Sequence, residues 1–369
     1  MSLPKISVVL PVRNEAGTLG RLLDQLTAQD YPADCIEILV ADGRSTDATR
    51  TIVEQKAQHT RVPLRLVDNP DIRSGPGRNA GVRAATGDII VFIDGHCEVP
   101  STRLLADTVA LMEETGADCL CRPQPLIAYA PQGTARIIAD ARASALGHGR
   151  DSLIYDMSHS GFVDPASSGA TYRRRVFDRC GPYDESFDAC EDVEFNTRVA
   201  RAGFKAYTSP RVAVYYEPRS SIRGLFRQMM RYGIGRVRLA RKHPGAASLS
   251  SWAPAVLVAA FAAAAGSVVA AAWLRLPWLL LFAAPAALFL GIATIAALAL
   301  GRRFGVRHAL YGPWVYCAIY LGLGWGMWRE LLLPATRIRT ASSATLRDQA
   351  RGVDCSAPDV PALTQDFRK

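Results

Sequence analysis

The stretch Asp88-Ile-Ile-Val-Phe-Ile-Asp94-Gly-His96 decides the fold. A short apolar run bounded by polar and turn residues reads as a strand. It ends abruptly in a carboxylate, a glycine and an imidazole. In open α/β sheets ligands bind at the carboxyl edge of the strands. Asp94 and His96, one residue apart on that edge, are therefore candidate ligands for a divalent cation.

Working outward, Ile6–Leu10, Ile36–Ala41 and Leu64–Val67 read as further strands. Between them, Thr18–Gln29, Asp47–His59 and Pro76–Ala85 have helical spacing, and Ser45-Thr46-Asp47 is a candidate N-cap. This βαβα order predicts an α/β fold with a doubly wound, mainly parallel sheet. From about 123 to 165 the pattern loosens around Pro123, Pro125 and Pro131, which gives room for a substrate loop. Regular structure resumes with expected strands at Ser168–Arg173 and Val212–Tyr216 and a helix at Glu191–Ala202.

The net charge of +9 is unevenly spread over the 369 residues. Residues 1–217 hold 29 acids against 24 bases, whereas Pro218 to Arg329 holds thirteen Lys or Arg and no acid. A basic balance confined to one region does not describe a nucleic-acid binder. Beside apolar segments it points to an anionic membrane surface.

Three uncharged stretches, Trp252–Trp273, Leu276–Leu300 and Ala309–Trp328, are each about as long as a bilayer-spanning helix. All six tryptophans (252, 273, 278, 314, 325, 328) lie in them or at their edges, as in aromatic interface belts. The expected organisation is a catalytic domain over 1–217, an interface region over 218–248, a membrane domain over 249–330 and a tail over 331–369. Ile6–Leu10 is too short for a signal core. The catalytic domain is thus expected on the cytoplasmic side of a multi-pass bacterial inner-membrane protein. The eight scattered cysteines form no CxxC pair, which fits a reducing compartment. Arg302, Arg303 and Arg307 place the second hairpin loop inside by the positive-inside rule. Arg337, Arg339 and Arg347 pull the tail to the same side, so the third stretch reads as a span or a re-entrant segment, with Gly322, Gly324 and Gly326 permitting close packing.

Within 220–243, Ile222, Leu225, Phe226, Met229 and Met230 fall at helical spacing while Arg223, Arg227 and Arg231 recur every four residues. That is the pattern of a basic amphipathic helix on a membrane surface, with Gly233 and Gly235 as an expected kink.

Five segments carry the chemistry. They are Pro11-Val-Arg-Asn14-Glu15, Ala41-Asp42-Gly-Arg-Ser45-Thr-Asp47, Gly75-Pro-Gly77-Arg78-Asn79-Ala-Gly81, Asp94-Gly-His96 and Cys190-Glu191-Asp192. The first, second and fourth each follow a strand and so converge on one sheet edge. From about Ile6 to Leu239 the chain resembles the family 2 glycosyltransferases of the GT-A fold. Within them it is most similar to succinoglycan ExoA-type exopolysaccharide glucosyltransferases, in which DxH also stands for the usual DxD.

The resemblance implies a nucleotide-sugar donor and a set of roles. Asp42 would accept from the nucleotide base. Pro11, Asn14 and Glu15 would shape the pocket around base and ribose, and Arg78 and Asn79 would contact diphosphate or ribose. Asp94 and His96 would hold the metal bridging the phosphates. An imidazole in place of a carboxylate favours Mn2+ over Mg2+. Asp192 would be the general base that deprotonates the acceptor hydroxyl, with Glu191 positioning the site. Gln228-Met-Met-Arg231-Tyr232 resembles the QxxRW signature near acceptor and diphosphate, with tyrosine for tryptophan. Ser168-Gly169-Ala170 would line the sugar pocket.

The implied activity is inverting transfer of a sugar, glucose from UDP-glucose, to a polyprenyl-diphosphate-linked oligosaccharide in bacterial exopolysaccharide synthesis. Two alternatives stand beside it. A processive polysaccharide synthase would make a long polymer from the nucleotide sugar alone. A catalytically silent membrane anchor of an export complex would lack a base or metal position, whereas here Asp192, Asp94 and His96 are all present.

Overall fold

The structure is a computed structural model and describes residues 3–127, 133–148, 153–167, 169–246 and 248–333. The chain opens with β1 (Ile6–Val12), α1 (Leu19–Thr27), β2 (Ile36–Asp42), α2 (Thr49–Ala57), β3 (Leu64–Asp68), α3 (Ser74–Ala84) and β4 (Ile89–Phe92). It continues through β5 (Cys97–Glu98), α4 (Leu104–Thr115), β6 (Cys119–Cys121), α5 (Thr134–Ala143), α6 (Ala145–His148), β7 (Gly161–Val163) and β8 (Gly169–Arg173). Then come α7 (Arg174–Cys180), α8 (Glu191–Arg201), β9 (Ala206–Thr208) and β10 (Tyr215–Tyr216). Four long helices complete the described chain: α9 (Ile222–Lys242), α10 (Ala253–Leu274), α11 (Ala284–Phe304) and α12 (Val306–Leu332).

Eight strands form one sheet in the order β3-β2-β1-β4-β8-β6-β9-β7. The first four strands are parallel, and β8 enters antiparallel between β4 and β6. The β6–β9 pair is again parallel, and β7 closes the edge antiparallel. The expected doubly wound, mainly parallel α/β sheet is therefore present. Its core follows from the period of two along a strand. Ile6, Val8, Leu10 and Val12 face Leu19, Leu22, Leu23 and Leu26 of α1. Val9 points the other way, into the cluster holding Phe92, Tyr172 and Phe195.

Several expectations change. The strand expected at Ser168–Arg173 begins at Gly169, and Ser168 lies outside the described residues. The one expected at Val212–Tyr216 shrinks to β10, which pairs antiparallel with β5 in a separate two-stranded sheet. Pro210–Val212 is a 3-10 turn capped by Ser209. The loosely patterned 123–165 segment contains α5 and α6. Both dock on α12, through Ser144 to Tyr316 (2.9 Å), Tyr320 to the Leu146 carbonyl (2.9 Å) and His308 to Asp140 (3.0 Å).

The kink expected at Gly233 and Gly235 is absent: α9 is one unbroken helix. Both glycines instead mark close approaches. A Cβ at Gly233 would strike the Leu323 carbonyl of α12, and one at Gly235 the Ala189 carbonyl. From the other side, Gly322 and Gly326 of α12 meet the backbone at Phe226 and Met230, while Gly324 meets Pro254 of α10. Small residues four apart let two helix backbones touch.

Among the described residues two helices are long and apolar enough to cross a membrane, Leu249–Leu274 and Pro277–Phe304, with mean hydropathies of 2.2 and 2.3. Only 17% and 11% of their most apolar parts are buried, so their apolar surface faces outward. The third expected stretch is helical but packs inward along α9. There it buries Tyr316, Ile319 and Met327, together with Glu330, whose carboxylate accepts from Arg238 at 3.1 Å. The described residues form one compact unit. The tail from residue 334, with its arginines, lies outside the described residues.

Candidate active site

Three turns leave the carboxyl edge of the sheet side by side. Parallel registry puts Val12 beside Asp42 and Val9 beside Phe92. Gly95 makes the closest meeting possible, because a Cβ there would lie 2.9 Å from Val12 Cγ1 and 3.0 Å from Glu15 Cγ.

The first two turns are clasped together by backbone-to-side-chain bonds. Asn14, at φ 55, donates its N–H to Ser45 Oγ (2.9 Å) and accepts from the Thr46 N–H at Oδ1 (2.8 Å). The Glu15 N–H donates to Thr49 Oγ1 (2.9 Å), and Asp47 accepts from the Thr49 N–H at the head of α2 (3.0 Å). Asn14 is thus a clasp between the two loops. Pro11 packs behind it against Gly77 of α3. Asp42 is wholly buried at the end of β2, where Oδ2 accepts from Arg50 Nη1 (2.8 Å) and both oxygens face the Ser45 N–H (3.3 Å).

At the third turn, His96 Nδ1 lies 3.1 Å from Glu15 Oε1 and the imidazole stands edge-on to Tyr216, centroids 4.8 Å apart. Its other nitrogen, Nε2, is buried with no hydrogen-bond partner. Burial alone would lower the His96 pKa, but the Glu15 bond and the Asp94 charge outweigh it and the direction is up. Glu15 thus orients His96.

Asp94 accepts from Arg78 Nη2 (3.3 Å), and Arg78 Nη1 reaches Glu191 Oε1 (2.6 Å). The guanidinium lies over the rings of Phe92 and Tyr183, 5.9 and 5.6 Å from their centroids. Burial opposes charge on Arg78, yet Glu191 and Asp94 outweigh it and push its pKa up. Burial would likewise raise Asp94, but Arg78, His96 and Arg122 hold it below the usual carboxylate range. Asn79 is directed elsewhere: its amide bonds the Tyr183 carbonyl (2.9 Å), Glu185 (2.9 Å) and the Tyr183 N–H (2.8 Å). Both ends are occupied, so Asn79 pins the 183–185 turn.

Asp192 is exposed at the head of α8, where its Oδ1 accepts from the Val193 N–H (2.8 Å). Its neighbour Glu191 is buried, and burial raises the Glu191 pKa against the pull of Arg78. The loop before α8 is gripped by α9. Arg231 donates from Nε to Asp188 Oδ2 (2.9 Å) and from Nη2 to the Asp188 carbonyl (2.7 Å), and Arg238 reaches the Ser186 carbonyl (2.9 Å). Arg231 therefore holds the chain leading to Asp192. Gln228 is buried, with Nε2 donating to Tyr216 OH (3.2 Å) and Tyr232 OH (3.4 Å).

The residues present fit a divalent cation. His96 offers an unpartnered buried nitrogen whose other ring atom is held by a carboxylate, the usual support of a metal-binding imidazole. Asp94 stands two residues away. Among the described residues no cluster of three or more His, Cys, Asp or Glu could hold a metal. The remaining ligands would be substrate phosphate oxygens and water, as is common where a cation serves a nucleotide.

Comparison with known proteins completes the assignment. The glycosyl transferase family 2 model matches residues 7–181. The succinoglycan biosynthesis protein ExoA of Rhizobium meliloti (strain 1021) is 31% identical over 336 residues, covering 88% of this chain and 94% of that protein. The chain belongs to glycosyltransferase family 2. This family 2 enzyme is also 25% identical over 241 residues to a dolichyl N-acetyl-alpha-D-glucosaminyl phosphate 3-beta-D-2,3-diacetamido-2,3-dideoxy-beta-D-glucuronosyltransferase of Methanococcus voltae, covering 64% of this chain and 74% of that one. Its GT-A fold is shared with the solved mannosyltransferase PcManGT of Pyrobaculum calidifontis, in complex with GDP-Man and Mn2+. The TM-score there is 0.54 at 24% identity, covering 89% and 87% of the two chains.

Sequence reading of this family 2 chain missed Arg50, Asp188 and Tyr216. Each acts through a partner distant in sequence or on a neighbouring element, and none sits in a motif that would single it out.

Proposed function

We propose that the chain is an inverting glycosyltransferase of bacterial exopolysaccharide assembly. It moves one sugar, glucose from UDP-glucose, to a polyprenyl-diphosphate-linked oligosaccharide. The observation that carries this reading is the Glu15–His96 pair beside Asp94, in a chain alike to a succinoglycan biosynthesis protein over 88% of its length. Asp94 and His96 would hold a divalent cation, Mn2+ in preference to Mg2+ because a nitrogen ligand suits the transition metal better. The cation would supply charge neutralisation to the departing diphosphate.

In this reading Asp42 accepts from the N–H of the donor's uracil. Asp192 takes the proton of the acceptor hydroxyl as that oxygen bonds the anomeric carbon. The carbon–oxygen bond to the nucleotide breaks, and its electron pair leaves with the diphosphate. One displacement from the opposite face inverts the centre, so no covalent nucleophile is required. The exposed carboxylate of Asp192 suits an incoming acceptor.

Two apolar helices and the basic face of α9 support a multi-pass inner-membrane enzyme with its catalytic domain on the cytoplasmic side. The acceptor class has support in the Methanococcus voltae relative, which by its name acts on a dolichyl-linked sugar phosphate. The test gives membranes containing the chain a panel of labelled nucleotide sugars with lipid-linked acceptors. The expected product carries one added glucose of inverted configuration. A long polymer made from nucleotide sugar alone, or transfer with retention, overturns the reading.

A further inference from the structure

A cavity of about 280 Å³ lies between the start of α5 and the turn that joins α11 to α12. Arg136, Ile137, Phe304, Arg307 and His308 line it, together with the first turn of α12. Among the described residues no carboxylate lines it, and none of its residues belongs to the active site. The volume is at the small end for ligand sites, which suits a headgroup better than a nucleotide sugar.

The charges are arranged for an anion. Asp140, one turn along α5, accepts from Arg136 Nε (2.8 Å) and lies 3.0 Å from His308 Nε2, so one carboxylate holds both side chains at the cavity. The bond to Asp140 uses Nε and leaves the Nη edge of the Arg136 fork outside it. That guanidinium also rests over the Phe304 ring, 5.7 Å from its centroid. His308 is 7% exposed, and its Nδ1 has no hydrogen-bond partner among the described residues. The start of the 27-residue helix α12 adds the partial positive charge of a helix N-terminus.

The surroundings are apolar on one side. Phe304 ends the second helix long and apolar enough to cross a membrane. Val306, also on the cavity wall, begins an exposed apolar stripe that continues through Leu310 and Trp314, four residues apart on one face of α12. A free phosphate would use only the basic half of this surface. A phosphate esterified to acyl chains would use both.

We propose that the cavity holds the phosphate of an anionic phospholipid, with Arg136 and Arg307 on its oxygens and the acyl chains along Val306, Leu310 and Trp314. Guanidinium groups suit phosphate oxygens, and anionic lipids are enriched in the cytoplasmic leaflet. The inference rests on the reading of α11 as a membrane span with its Phe304 end inside.

The test titrates purified full-length chain in neutral detergent with dioctanoyl phosphatidylglycerol, dioctanoyl phosphatidylcholine or inorganic phosphate. Apparent affinity is read from the rise in melting temperature with ligand concentration. Wild type should prefer phosphatidylglycerol to phosphatidylcholine by about tenfold or more. Arg136→Gln should weaken phosphatidylglycerol by about tenfold. Arg302→Gln removes the same charge from an exposed arginine outside the cavity and should change affinity by less than about twofold. Equal losses in the two variants would mean diffuse attraction to a basic surface and overturn the site, as would a wild type that does not distinguish the two lipids. Inorganic phosphate bound as tightly as phosphatidylglycerol overturns the lipid assignment. Should Arg136→Gln not fold, Arg307→Gln is measured in its place against the same outcomes. Failure of the membrane reading is distinguishable, since it appears as wild-type chain that stays in solution without detergent.

Discussion

His96 Nδ1 lies 3.1 Å from Glu15 Oε1, and the opposite ring nitrogen is buried without a partner. The carboxylate fixes which way the ring faces and leaves Nε2 available, so Glu15 should act through His96. We expect Glu15→Gln to lower Mn2+ affinity in the presence of UDP by about 10–100-fold, the usual effect of losing a ligand's support. Titration of free Mn2+ by electron spin resonance measures this directly. His96→Asp should swing the ratio of Mg2+ to Mn2+ activity toward Mg2+ by roughly tenfold, since oxygen replaces nitrogen. An unmoved ratio would sink the assignment of His96 as a ligand.

Asp192 and Glu191 are neighbours with different surroundings, and their variants should separate. Asp192 is exposed and bonded only to the start of its own helix, so Asp192→Asn removes a proton acceptor and little else. Transfer should fall by about 10²–10⁴-fold with UDP affinity intact. Glu191 is buried against Arg78, which also reaches Asp94. Glu191→Gln should therefore weaken donor binding as well as turnover. Single-turnover rates and equilibrium binding, measured on both variants, decide the matter.

What the sequence made legible was whatever local pattern determines. The apolar run ending at Asp94 gave the strand and its edge, and the spacing of leucines gave α1 and the sheet beneath it. Contacts made across the fold were not legible. Asn14 and Asn79 have the right chemistry for substrate, but Asn14 holds a neighbouring loop through its backbone N–H and its Oδ1, and Asn79 has both amide ends taken by the 183–185 turn. Gly233 and Gly235 suggested a kink because glycine weakens a helix. Their real constraint is the backbone of α12 and of the 189–190 turn, which no periodicity reveals. The third apolar stretch had the length of a span, yet its glycines and Glu330 belong to a packed face against α9 and α10.

Arg231 grips Asp188 twice, at the side chain and at the backbone carbonyl, four residues before Asp192. The pair is about half exposed, so its own contribution to stability should be small, up to roughly 1 kcal/mol. Its effect on the Asp192 loop should be larger. Arg231→Ala is expected to reduce kcat by about tenfold or more while the melting temperature moves only a few degrees. Arg231→Lys, which cannot make both bonds from a planar fork, should restore little. A variant with unchanged kcat would remove this positioning role.

The α9–α12 seam should tolerate no side chain at its glycines. A Cβ at Gly326 would collide with the Met230 carbonyl, whereas Gly291 on α11 has open space around it. Gly326→Leu should separate the helices at a cost of about 1–3 kcal/mol or more, and loosen the loop that α9 holds. Hydrogen exchange of the α9 amides should rise in that variant. Gly291→Leu, an equal increase in bulk on an outward-facing helix, should leave exchange unchanged. Equal behaviour of the two would mean the seam is not constrained.

Glu194 anchors the far end of α9. Its wholly buried carboxylate accepts from Arg198 (3.0 and 2.9 Å), Lys242 (2.9 Å) and His243 (2.9 Å). Burial alone would raise its pKa, but these three donors outweigh burial and hold it below the usual glutamate range. A carboxyl depressed on folding contributes stability that is fully present above its unfolded pKa, about 4.3, and is lost as pH falls through the lower folded value. Wild type should therefore lose stability on acidification below about pH 5 in part through this group. Glu194→Gln should be less stable at pH 7, by roughly 3–5 kcal/mol, because three donors lose a buried charge. The difference between the two proteins should narrow as pH falls below the unfolded value. Thermal melts of both proteins across pH 3–7 test this, and a constant difference over that range would show that the Glu194 charge does not hold the two helices together.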